Sequence, residues 1–267
     1  MTNQTPTAAD QQPLVQKLTG AQELYTLLSL CSKAPYVMCD AETFDDEIFF
    51  FFNEADAKAE MEQRKAHNEP TGPVKLDQKQ LLGFLGSLYT LGINALVLVD
   101  GARREQVQLD AVVKRNIKKD EKNTWIENPA LHLTALTFAQ ELRRPKESRD
   151  AQKLAELQEE LQVDFLRGTF IAAVQKDTPG IPLVKMPDGS LNQPLFTDII
   201  EFQKFNREQK FKAVPVPAGK LPDVMAKEAK GVVLNPLEVS LSLTVTKNQP
   251  KPRTAEEAVN RALAEME

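Results

Sequence analysis

The 267-residue sequence predicts an α/β fold bordering on α+β: two related mixed-sheet subdomains from an internal duplication, joined by a helical connector. Three observations carry this expectation. Short β-branched and aromatic runs alternate with stretches of helical spacing, the order that gives layered α/β packing. The layout of residues 193–246, strand, helix, strand, helix, strand, strand, has a counterpart in residues 36–113. Between the two lies residues 121–152, a polar loop followed by a helical pattern that Pro145 ends. The expected organisation is a disordered tail (1–19), a first unit (20–120), the connector (121–152), a second unit (153–248), and a Pro-rich linker with a terminal helix (249–267).

Taken in order, residues 1–19 are polar, with Pro6 and Pro13, and read as a disordered tail. From Ala21, Leu24, Leu27, Leu28 and Cys31 recur at 3, 4 and 7, which predicts a helix stopped by Pro35. Tyr36 to Cys39 follows as a strand. Ile48 to Phe52 is continuously apolar, the signature of a strand buried on both faces. Asn53 caps a charged covering helix, and Val74 to Leu76 is the next strand. Residues 78–91 form an apolar helix with Gly92 after its end, and Asn94 to Val99 pairs with Gln106 to Val113.

In the connector, Leu131, Ala135, Phe138 and Leu142 make one stripe. Leu154, Leu157, Leu161 and Phe165 make another, leading into the strand Thr169 to Val174 as Leu24 to Cys31 lead into Tyr36 to Cys39. The second copy adds a strand, Ile181 to Met186, with a turn at Asp188 and Gly189. In Pro194 to Phe196 and the helix after it, Thr197 suits the N-cap, as Asn53 does in the first copy. Ile199, Phe202 and Phe205 share one face of that helix, which runs to about Arg207. The strand Phe211 to Val216 contains Pro215 and so belongs at an edge or a bulge. A helix from Lys220 to Ala229 and strands at Gly231 to Leu234 and Val239 to Thr246 complete the unit. Thr254 to Glu257 opens the terminal helix, whose stripe includes Leu263 and Met266.

Composition narrows function. With 42% hydrophobic and 27% charged residues the chain is an ordinary globular protein, and a net charge of −5 with interspersed bases argues against a nucleic-acid partner. No apolar run reaches the ~20 residues of a membrane helix, and the first twenty residues lack the basic head and apolar core of a signal peptide. A cytoplasmic protein without a membrane partner is expected. Cys31 and Cys39 match no zinc or redox spacing and read as free thiols.

The segments PYVMCDAETFDD, QLLGFLGSLYTLGINALVLVDG, NPALHLTALTFAQELRR, PLFTDIIEFQKFN and AKGVVLNPLEVSLSLT together resemble the SseB family, named for an enhanced serine sensitivity phenotype. The resemblance covers about Gly20 to Thr246. It implies a bacterial cytosolic α/β protein and supplies no catalytic residues. Two positions depart from the family pattern: Glu238 stands where a glycine is expected after NPL, which puts a tight turn at 237–238 in doubt, and Pro215 interrupts a valine strand.

No catalytic constellation emerges. Asp40, Glu42, Asp45, Asp46 and Glu47 crowd one turn, but their spacing fits no Ca²⁺ loop and reads as a solvated turn. His67 and His132 are the only histidines. Gly83 and Gly86 lie inside a helix, do not follow a strand as a phosphate loop requires, and instead allow another element to approach closely. Arg143, Arg144 and Lys146 form a basic cluster expected at a solvated helix end. The sequence therefore points to a non-enzymatic interaction or regulatory protein with a protein partner and with neither cofactor nor metal. The alternative is a small-metabolite sensor, or an enzyme, with a pocket at the strand ends. Candidate binding residues are Asp198, Glu201 and Asn235 at the strand ends, and Leu263 and Met266 on the terminal helix.

Overall fold

The computed structural model describes residues 8–115, 125–177 and 180–245. The chain divides into two units. Unit 1 is Met1–Trp125, Pro129–Glu159 and Leu237–Val239; unit 2 is Ile126–Asn128, Glu160–Pro236 and Ser240–Glu267. Among the described residues no helix is long and apolar enough to cross a membrane.

Unit 1 begins with α1 (Ala8–Gly20) and β1 (Glu23–Ser29), then β2 (Met38–Cys39), β3 (Asp46–Phe51), α2 (Glu54–Ala66) and β4 (Thr71–Asp77). It continues with α3 (Gln78–Leu88), β5 (Ala95–Asp100), β6 (Arg103–Gln108), a single turn α4 (Leu109–Val112), and α5 (Pro129–Leu142). Helix α6 (Ala151–Arg167) spans the division between the units. Unit 2 holds β7 (Thr169–Gln175), β8 (Val184–Lys185), β9 (Leu191–Phe196), α7 (Ile199–Phe205), β10 (Phe211–Pro217), a short α8 (Leu221–Val224), β11 (Gly231–Leu234) and β12 (Leu241–Leu243).

Each unit carries a six-stranded mixed sheet, in the order β4-β1-β3-β5-β6 with β2 on β3, and β10-β7-β9-β11-β12 with β8 on β9. The orders match strand for strand. In both, the one parallel pair, β3 with β5 and β9 with β11, is central and all others are antiparallel. Register matches as well: β1 pairs β4 from Glu23↔Asp77 to Ser29↔Thr71, and β7 pairs β10 from Thr169↔Pro217 to Gln175↔Phe211. Phe51 lies opposite Tyr25 where Phe196 lies opposite Ile171. A mixed α/β architecture of two similar subdomains is what the sequence predicts.

Several elements differ from expectation. Residues 21–31 hold the strand β1, not a helix; Leu24, Thr26, Leu27 and Ser29 are all buried, and a strand covered on both faces shows no alternation to distinguish it from a helix. The counterpart of β7 is therefore β1, not Tyr36 to Cys39, of which only Met38 and Cys39 are in a strand. Within the supposed tail, Ala8–Gly20 is a helix that buries Leu14 and Leu18, one turn apart. The expected helix at Lys220 to Ala229 is reduced to a 3₁₀ turn and α8, whose Pro222 fits a first turn. Strand β12 is shorter than Val239 to Thr246, and β6 ends at Gln108, where α4 begins.

The cores lie on the faces the sheets turn to their helices. In unit 1, Leu27, Tyr36, Phe49, Phe51, Ala57, Val97 and Val99 pack together beneath α2. In unit 2, Ile126, Ile171, Ala173, Phe196 and Phe202 form the equivalent cluster. Gly92 has φ +81°, and a Cβ there would sit 2.7 Å from the Pro129 carbonyl oxygen, so both conformation and space require glycine.

The outer strands β4 and β10 are closed against pairing by the same device. Hydrogen bonds between Lys176 and Lys210 and between Ala218 and Gly168 extend the β7–β10 ladder, so Phe211, Ala213, Pro215 and Pro217 turn their N–H positions outward. Two of these are prolines, and the Phe211 N–H and carbonyl are both bonded to the Asn206 side chain. On β4 the outward positions are Thr71, Pro73, Lys75 and Asp77, and the Asp77 N–H donates to Gln80. Pro215 thus lies on an edge strand as expected, at a position where no ladder bond is lost.

Candidate functional site

The strand-end candidates Asp198 and Asn235 meet through Thr197. The chain leaves β9 at Thr197 and enters α7 at Asp198, whose Oδ1 accepts from the backbone N–H groups of Ile200 (2.8 Å) and Glu201 (3.1 Å). Asp198, not Thr197, is the N-cap. The Thr197 hydroxyl donates to Asp198 Oδ2 at 2.8 Å and accepts from Asn235 Nδ2 at 2.9 Å. The Thr197 N–H donates to Asn235 Oδ1, and its carbonyl accepts from Asn128 Nδ2, which also reaches the Thr169 carbonyl. Asn235 has φ +43°, a left-handed conformation that asparagine tolerates, and it directs its amide back across the sheet end. Thr197, Asp198 and Asn235 are fully buried. The Glu201 side chain, also buried, pairs with Lys204, and its backbone N–H joins the group.

This network lies where ligands bind in open α/β sheets, outside the carboxyl ends of the parallel strands. Its polar atoms bond to backbone groups and to one another, which fixes the β9–α7 turn. Leu263 and Met266 lie outside the described residues, as does the whole segment expected to form the terminal helix. Thr197 is legible in the sequence as a cap residue, but its central place in the network, and Asn128 as its partner from a distant segment, rest on long-range bonds that leave no local pattern.

At the corresponding strand ends of unit 1, Phe52 and Asn53 occupy the places of Thr197 and Asp198. Asn53 Oδ1 caps α2 by accepting from the Asp56 N–H at 2.8 Å, and its Nδ2 donates to Asp56 Oδ2, which also accepts from Gly101 N–H. Beside them lies an open groove of about 490 Å³, lined in part by Lys17, Glu23, Phe52, Asn53 and Asp100. The Lys17 ammonium pairs with Asp100 and sits 4.3 Å from the centre of the Phe52 ring. Glu23 pairs with Lys75. The charges at the groove are thus joined to partners.

Three features that the sequence brings forward resolve into structural roles. In the acidic turn, Asp40 accepts from the N–H groups of Glu42 and Thr43, which holds its carboxyl below the usual range, and Asp45 accepts from Asn94 and Gln108. Glu47 is buried and its carboxyl is pushed up, chiefly by loss of hydration, while Gln106 donates to it at 3.0 Å. Both cysteines are free, and burial raises both thiols; at Cys39, Asp46 and Asp40 add to the shift, so neither is an activated thiolate. The basic cluster departs from expectation: Arg143 donates to the carbonyls of Cys31 and Val239, and Arg144 to that of His67. Two of its members are tied down rather than solvated.

Sequence reasoning also missed a buried pair in unit 1. His132 on α5 lies 2.6 Å from Glu238 Oε2, and both side chains are buried. Glu238, at the position where the SseB resemblance leads to a glycine, lies in a turn flanked by Asn235 and by Ser240 (φ +46°), so the turn forms without it. A salt-bridge or hydrogen-bond partner 106 residues away leaves no local pattern to read.

The outer face of α3 is different in kind. Leu81, Leu85 and Leu88 are buried, whereas Leu82 is 69% exposed and Gly83 and Gly86 lie beside it on the exposed side. A Cβ placed on either glycine would meet no atom within 4 Å. The close approach that the glycines suggest is therefore not made by any described element of this chain.

No family model matches the chain, and no curated protein matches it. Among solved structures, Tic22 from Plasmodium falciparum aligns at 14% identity over 82% of this chain and 90% of its own, with a TM-score of 0.24. Anabaena Tic22, described as a protein of protein transport, aligns at 10% identity over 94% of this chain and 96% of its own, with a TM-score of 0.21. At these TM-scores neither likeness bears on fold or function.

Proposed function

We propose that this chain is a non-enzymatic interaction or regulatory protein of the SseB type, cytoplasmic and bacterial, and that the outer face of α3 receives a helix of a protein partner. The observation that carries this reading is the open pair Gly83 and Gly86 beside exposed Leu82. Each glycine inside a helix costs roughly 0.5–1 kcal/mol relative to alanine, and no described contact within the chain offsets it. A helix whose backbone approaches closely over the glycines, with an apolar side chain against Leu82, uses both features. The reading is tested by a photo-crosslinking residue at position 82 in the native host, with position 58 on α2 as control. One protein adduct formed from 82 and absent from 58 is the expected result. Equal labelling from both positions, or none from 82, overturns it.

The second reading, a small-metabolite sensor, is favoured by the groove at the ends of β3 and β5. It predicts that a metabolite raises the unfolding temperature of the protein and that Lys17→Ala with Asn53→Ala abolishes the rise.

A further inference from the structure

We draw no further inference here: the strongest candidate, the open groove of unit 1 between the end of α1 and the start of α2, offers only a helix N-terminus and charges already paired with one another, without a second feature that points to a ligand.

Discussion

Asp198 does for α7 what Asn53 does for α2, and the difference between them lies in what stands behind the cap. Asn53 is exposed and its partners are local, whereas Asp198 is buried and held by Thr197, which Asn235 holds in turn. Removing Asp198 therefore leaves two helix N–H groups and a buried hydroxyl without that acceptor. Asp198→Ala should cost about 2–3 kcal/mol in denaturant unfolding, against about 1 kcal/mol for Asn53→Ala. Equal losses would show that the relay behind Asp198 adds nothing. Glu47 gives a pH-dependent counterpart. Burial raises its carboxyl above the ordinary 4.5, so the folded state binds the proton more tightly than the unfolded state and the ionised form is the destabilised one. Glu47→Gln should raise stability at neutral pH, with the gain shrinking as pH falls through the folded value and vanishing below about 4.5. A gain independent of pH would assign the effect to packing instead. At this scale the sequence was legible to within one residue: a hydroxyl and a carboxylate adjoin at 197–198, both suit a cap, and only the turn geometry decides between them.

At the scale of elements, legibility followed burial. Where one face of a helix is apolar, as on α6, the period is plain; where both faces are covered, as on β1, the run of apolar residues fits either period. The N-terminal helix was hidden for the opposite reason, since Leu14 and Leu18 are the buried apolar side chains of an otherwise polar stretch. The glycines of α3 yield a prediction with two readouts of opposite sign. Gly83→Ala and Gly86→Ala each add a methyl group that meets nothing within 4 Å, so each should stabilise the protein by about 0.5–1 kcal/mol. The same methyl groups hold an approaching helix off, so the crosslink from position 82 should weaken. Stabilisation with the crosslink intact would mean that the glycines are not a contact surface. The closed outer strand makes a third case: Pro215→Val with Asn206→Ala restores one outward N–H and frees the Phe211 groups. That variant should keep its fold by circular dichroism yet scatter more light with time, since an unpaired edge templates association.

At the scale of the molecule, the duplication was legible because order survives divergence: matching strand orders persist although the copies share few residues and differ in their smaller helices. What no reading by contiguous segments could supply is that unit 1 takes Leu237–Val239 from between β11 and β12, two strands of unit 2. Glu238 ties this segment to α5 through the 2.6 Å bond to His132, beside the Arg143 bond to the Val239 carbonyl and the burial of Val239. A charge-assisted hydrogen bond of that kind, shielded from water, contributes roughly 1.5–3 kcal/mol. A global unfolding curve is a poor judge of the contribution, because a chain of two units need not unfold in one step. Native-state hydrogen exchange separates the two, since the amides of β3 and β5 report unit 1 and those of β9 and β11 report unit 2. In His132→Ala, Glu238→Ala and the double variant, the β3 and β5 amides should lose protection, with a coupling energy of roughly 1.5–3 kcal/mol between the two sites. Glu238→Gln, which keeps an acceptor oxygen but no charge, should lose less than Glu238→Ala. If Glu238→Ala instead lowers protection only in β9 and β11, the segment serves the sheet it interrupts, and its place in unit 1 is wrong.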